Sequence, residues 1–194
     1  MSFTPEELKE LGKTLILNNT WTLFFHEKNN NKVYNNNTIK LIDINTIADF
    51  WGTYNNIPEP SKMFFDGINH KKVKSLNATP NALSFFKKDI YPAWEDPNNV
   101  NGFEFSIKYY YIQSIDEFWK NTLITVINED YESSDYLNGV RIVDCSVYNR
   151  VIYRLELWFD DKKNKNTIEN DIKNVFNLNN CKLLYRDHNT LKEK

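Results

Sequence analysis

The chain has 194 residues, 41% of them hydrophobic and 15% aromatic, enough to bury one substantial core and too few for two generous domains. Its net charge of -2 excludes a protein that grips nucleic acid mainly by neutralising phosphates, because that mode needs a broad basic field. No stretch approaches the roughly 18 consecutive apolar residues of a membrane span, and the opening Met1-Ser2-Phe3-Thr4-Pro5-Glu6-Glu7 lacks the basic-then-apolar order of a signal peptide, so a soluble, cytoplasmic protein is expected.

Taken in chain order, residues 1–14 are polar, with a weak helical signal over 5–11 that Gly12 breaks, and are expected to form a flexible N-terminal arm. Residues 19–26 and 38–44 alternate well enough to predict two strands around an asparagine-rich loop to which we give no functional weight. From Asn45 the period changes: Ile47, Phe50, Trp51 and Tyr54 recur at helical spacing after Asn45 or Thr46 as N-cap, and Pro58 and Pro60 end the run. A long irregular connection carries His70, Lys71, Lys72 and Lys74, and strands are predicted over 82–86 and 103–113 with a loop at Pro92-Ala93-Trp94-Glu95-Asp96-Pro97 between them. Ser114-Ile115-Asp116-Glu117 has the form of a capping box opening a helix through Phe118, Trp119, Leu123 and Val126. Residues 140–147 and 151–159 predict a hairpin pair, 166–178 a third helix through Ile168 and Ile172, and 183–185 a last strand. Strands punctuated by single helices indicate an α+β fold on an antiparallel sheet.

Chemistry-bearing patterns are sparse. Cys145 and Cys181 share no metal-like spacing with the three histidines, so no disulfide, zinc site or cofactor is expected. There is no glycine-rich phosphate loop and no nucleophile with an adjacent base, which argues against an enzyme.

Three blocks, in order, are specific: Asn19-Thr20-Trp21-Thr22-Leu23-Phe24-Phe25, Thr46-Ile47-Ala48-Asp49-Phe50-Trp51 and Pro92-Ala93-Trp94-Glu95-Asp96. They resemble the N-x-W-x-L-W/F-F, T-V-x-D-F-W and P-x-W-E-D signatures of the translation initiation factor 4E family. Glu117-Phe118-Trp119, Trp158 and Lys182-Leu183-Leu184-Tyr185-Arg186-Asp187-His188 support the likeness, which runs from about residue 15 to 188. The resemblance implies a cap-binding domain over 15–194, built as a strongly curved antiparallel sheet of about eight strands with three helices on the convex face. In the concave face it implies a site for the 7-methylguanosine cap of messenger RNA. N7 methylation leaves guanine positively charged, so two aromatic faces hold it by stacking and cation–π attraction. The match places Trp94 on one side and, counting back from Asp49-Phe50-Trp51, Tyr34 on the other. Glu95 matches the carboxylate that accepts from the guanine N–H groups, and Trp158 the residue near the methyl group.

Departures from the family pattern concern the phosphates. Glu104 and Cys145 stand where basic residues are usual, whereas Arg154 matches a basic position four residues before Trp158. Arg150 or Arg141 could supply what is missing, although Arg141 also fits a solvated strand face; Lys71, Lys72 and Lys74 on the long 58–81 loop are a further source. On the convex back, the resemblance implies docking of a scaffold or repressor helix of pattern Y-x-x-x-x-L-φ against Ile47, Trp51 and Ile124, with Asn121 where a carboxylate is common. The implied function is recruitment of capped messages for translation initiation; a cap-binding repressor, or an interaction module without cap affinity, are the alternatives.

Overall fold

The computed structural model describes residues 3–28, 37–65, 68–73, 78–148, 150–160 and 162–191. Their strands are β1 (Ile16–Glu27), β2 (Thr38–Thr46), β3 (Pro80–Lys87), β4 (Phe103–Tyr109), β5 (Leu137–Asp144), β6 (Tyr153–Phe159) and β7 (Leu184–Asp187). They form one curved antiparallel sheet in the order β2-β1-β3-β5-β6-β4-β7. Among the described residues seven strands are seen, where about eight were expected for the domain. Side chains alternate across the sheet, so Trp21, Leu23 and Phe25, Phe85, Val140, Leu157 and Phe105 fall on one face and are buried there.

That face is covered by helices whose apolar stripes match it. The α-helices are α1 (Pro5–Thr14), α2 (Ile47–Tyr54), the one-turn α3 (Pro60–Met63), α4 (Ile115–Asn128) and α5 (Lys165–Val175). The expected three are α2, α4 and α5. Each inserts large side chains into the core: Phe50 from α2, Trp119 and Leu123 from α4, Ile168 and Ile172 from α5. A side chain such as Phe50, with 1% of its surface exposed, contributes about 1.5–3 kcal/mol by burial. After α3, Phe64 and Phe65 turn inward; the Ser61 backbone N–H donates to Asp116 at 2.8 Å and the Tyr153 hydroxyl donates to the Phe65 carbonyl at 2.9 Å.

Some local expectations give way to competing interactions. Gly12 does not break the first helix, which runs to Thr14 under a capping box formed by Thr4 and Glu7; a Cβ at Gly12 would sit 3.5 Å from that of Ala48, so this position is where α1 meets α2. Ser114 does not cap α4. Its hydroxyl pairs with that of Tyr109 at 2.6 Å, and a 3-10 turn over Ile112–Ser114 precedes the helix, ending β4 at Tyr109 rather than residue 113. The strand expected over 140–147 begins at Leu137 and ends at Asp144, whose carboxylate accepts from the Ser146 N–H at 3.0 Å.

At α2 the N-cap is Thr46 rather than Asn45, and it forms a capping box: Thr46 Oγ1 accepts from the Asp49 N–H at 3.0 Å and Asp49 Oδ2 accepts from the Thr46 N–H at 3.1 Å. Thr46→Ala should therefore lower stability by about 1 kcal/mol, read as a shift in the midpoint of chemical denaturation with an unchanged slope.

Candidate functional site

The opposite, concave face of the sheet carries a second aromatic cluster. Phe24, Phe86 and Trp158 are buried in it, with Ile90, Tyr91 and Trp94 packed against them and partly exposed. The room for the Phe86 ring comes from Gly139, which lies opposite Phe86 on β3 and Trp158 on β6. A Cβ there would be 2.3 Å from the Phe86 ring. Phe86 meets Trp158 edge-on at a centroid distance of 5.4 Å.

Beside this cluster lies a buried polar network centred on Glu156, which has no exposed surface. Its Oε2 accepts from Arg141 Nε at 2.6 Å and from the Trp158 indole at 3.0 Å, and its Oε1 accepts from Arg154 at 2.6 Å. Burial alone would raise this carboxyl, but the Arg141 and Arg154 guanidiniums and the hydrogen bonds from Arg141 and Trp158 outweigh it and hold it down at about 2. Arg141, for which the sequence leaves open a phosphate contact or a solvated strand face, is not solvated: it is buried, and its guanidinium also sits 4.9 Å from the Trp158 ring centroid. Arg154 keeps part of its side chain exposed.

The loop carrying Trp94 and Glu95 is braced from within. Asp96 Oδ2 accepts from the Tyr91 N–H at 2.9 Å, and buried Asn99 donates to the carbonyls of Tyr91 and Ala93, each at 2.9 Å. Asn138 donates to Asn99 Oδ1 at 3.0 Å, tying the loop to β5. Asp96 is thus a structural residue, and Glu95 stands exposed beside the half-buried Trp94. From beyond β7, His188 Nδ1 donates to the Asn99 carbonyl at 2.7 Å while its ring lies 4.6 Å from that of Trp158. The loop, the indole and the last strand are mechanically one unit.

Glu104 faces Trp158 across the β4–β6 pair. Arg186, opposite it on β7, brings Nη1 to 3.2 Å of Oε1, an ion pair whose alignment leaves Oε1 without a hydrogen bond among the described residues; His188 Nε2 is 3.8 Å from Oε2. Arg186, which in the sequence is only one member of the Lys182–His188 motif, thus places a positive group beside the acidic one. Its signal lay in the strand register, which the sequence does not display. Arg150, at the β5–β6 turn, is exposed. Tyr34 and Lys74 lie outside the described residues. Lys72 is exposed, and Lys71 Nζ is 3.4 Å from the Ser61 carbonyl. On the convex back, Trp51 is 39% exposed while Ile47 and Ile124 are half buried against the core and Asn121 is exposed.

A family model described as eukaryotic initiation factor 4E matches residues 16–194. The chain belongs to that family. It is 34% identical over 134 residues to eukaryotic translation initiation factor 4E-1B of Danio rerio, an alignment covering 68% of this chain and 56% of that protein. With the initiation factor 4E-1 of Triticum aestivum it shares 32% identity over 126 residues, or 63% and 52% of the two chains. The chain spans about half the length of the curated relatives it matches. Its fold is that of C. elegans eIF4E-3, solved with the 4E-binding protein Mextli and a cap analog, at a TM-score of 0.73, 23% identity and coverage of 93% and 96%. A schistosome eIF4E complexed with m7GpppA and 4E-BP is similar at a TM-score of 0.73 and 21% identity, covering 93% and 91%.

His26, on the same concave face as Glu156 in this 4E-family chain, yields a pH prediction. It bonds Ser84 and Thr38, and burial, reinforced by Arg141 and opposed by Glu156, pushes its imidazole down to about 3. Neutral His26 is therefore favoured in the folded state, whereas the unfolded chain takes up a proton near the ordinary value of 6.5. Its stabilising contribution is full above pH 6.5 and is lost as pH falls from 6.5 towards 3, at about 1.4 kcal/mol per pH unit. Glu156 adds a separate loss between 4.5 and 2. His26→Gln should flatten the dependence above pH 4.5 in urea denaturation series; an unchanged slope there would contradict this.

Proposed function

We propose that the concave site takes the N7-methylated guanine of a messenger-RNA cap, and that the convex back docks a helix of pattern Y-x-x-x-x-L-φ from a partner in translation initiation. What supports it most directly is the braced loop that sets a half-buried Trp94 at the rim of an aromatic cluster with exposed Glu95 next to it. A tryptophan face attracts a cationic ring. An adjacent carboxylate can accept from both the ring N–H and the exocyclic amine of guanine, an edge that adenine does not offer. Tyr34 is the second leaf of the sandwich in this proposal, Trp158 backs the site near the methyl group, and Arg154, Arg150 and Arg186 are the cations within reach of the phosphates. The relatives solved with cap analogs and 4E-binding proteins support both halves of the reading. No bond is made or broken: the protein is a binding module.

Trp94→Ala and Glu95→Ala should each weaken binding of a methylated cap analogue severely in tryptophan-fluorescence titration, Glu95→Ala by about 1.5–3 kcal/mol. Equal affinity of the wild-type chain for guanine and adenine caps would remove Glu95 from this role.

The partner surface separates from the cap site. Trp51 is offered to solvent by the same helix that buries Phe50, so Trp51→Ala should cost about 2 kcal/mol or more of peptide affinity and leave cap affinity unchanged. Unfolding of the variant, seen by circular dichroism, would instead make Trp51 part of the core.

A further inference from the structure

The concave face does not end at Glu156. Along β4 the residues facing the same way as Glu104 are Ser106 and Lys108, Lys108 lies opposite Arg154 on β6, and Tyr110 follows directly on the end of the strand. From Glu104 to Lys108 this stripe spans roughly 13 Å. Tyr110 and Arg150 line an open cleft of about 710 Å³ together with Gln113 and Val151. Tyr110 and Lys108 also line a second cleft, of about 350 Å³, with Lys182. The ring of Tyr110 therefore stands between two clefts, 53% exposed, and each cleft has a cation in its wall. Its sequence neighbours are occupied elsewhere, Tyr109 stacking on Phe118 and meeting Tyr111 edge-on. At the tip of the adjoining hairpin Tyr148 is 96% exposed.

We propose that this end of the concave face is a stacking platform for the single-stranded RNA that follows the cap, with Tyr110 taking a base and Lys108 and Arg150 the flanking phosphates. The proposal rests on the cap reading for its polarity: the RNA leaves the guanine pocket past Arg154 and runs on along the same stripe. The chemistry is that of sequence-tolerant single-strand binding, in which every base offers a π-face to an exposed ring and cations track the backbone. It asks for only two cations, Lys108 and Arg150, on a chain whose net charge is -2. A short track next to a specific pocket needs few cations, whereas a protein relying on phosphates alone needs many.

The test compares a methylated cap nucleotide with an unstructured capped RNA of about ten nucleotides, each titrated against the wild-type chain, Tyr110→Ala and Tyr110→Phe. The capped RNA should bind the wild type at least about fivefold more tightly than the nucleotide, the low end of what one base-on-ring stack contributes. Tyr110→Ala should lose that advantage and Tyr110→Phe should keep it, with the nucleotide binding all three alike. Equal affinity of the wild type for RNA and nucleotide, or an advantage that Tyr110→Ala leaves intact, overturns the platform. Failure of the cap reading has a different signature, no binding of the nucleotide by any of the three. Uncapped RNA then decides: binding that Tyr110→Ala abolishes retains the platform, and its absence removes it.

Discussion

A single carboxylate with no access to water organises the concave face. Glu156 would be costly where it lies if it stood alone, and it persists because two guanidiniums and an indole N–H converge on its two oxygens. Removing one member of such a set leaves an uncompensated buried charge, so the group is retained or lost together. Its value is positional. The same oxygen that accepts from Arg141 fixes the Trp158 ring, and Arg141 in turn lies beside that ring, so the orientation of the indole follows from electrostatics as much as from contact with Phe86.

Around that anchor the face divides its labour. The side towards β3 is aromatic and meets the Trp94 loop; the side towards the β5–β6 hairpin is cationic. Arg141 and Arg154 spend part of their charge on Glu156, and Arg186 part of its charge on Glu104. The positive charge of the face is therefore partly neutralised within the face itself.

Much of the frame is legible in the sequence because it follows from periodicity and local hydrogen bonding. Thr46 and Asp49 sit three apart before an apolar run, and they cap α2 through local hydrogen bonds, Asp49 accepting from the N–H groups of both Asn45 and Thr46. Ser114 and Glu117 have the same spacing, but the Tyr109 hydroxyl captures Ser114 through a contact that local pattern cannot anticipate. The motif loop is legible down to the division between Trp94 and Asp96 only once the backbone donors that Asp96 satisfies are known. Arg141 is the residue whose place the pattern leaves most open. In Val140-Arg141-Ile142 the charge alternates with core residues and so fits a solvated face, yet it is buried against Glu156 and the Trp158 ring. Alternation reports which face a residue takes and not what covers it.

The strand order also has a consequence in time. β1, β2 and β3 form one flank of the sheet early in the chain, whereas β4 waits between β6 and β7 for its second neighbour. His188, which touches both Trp158 and the Asn99 brace of the Trp94 loop, follows directly on β7. While residues 184–188 remain inside the ribosome, the nascent chain has an open β4 edge, an indole with one face bare and a loop without its outer tether. The concave site is thus completed by the final strand emerging, and a premature stop before it would leave a folding intermediate with an exposed sheet edge instead of a weakened binder.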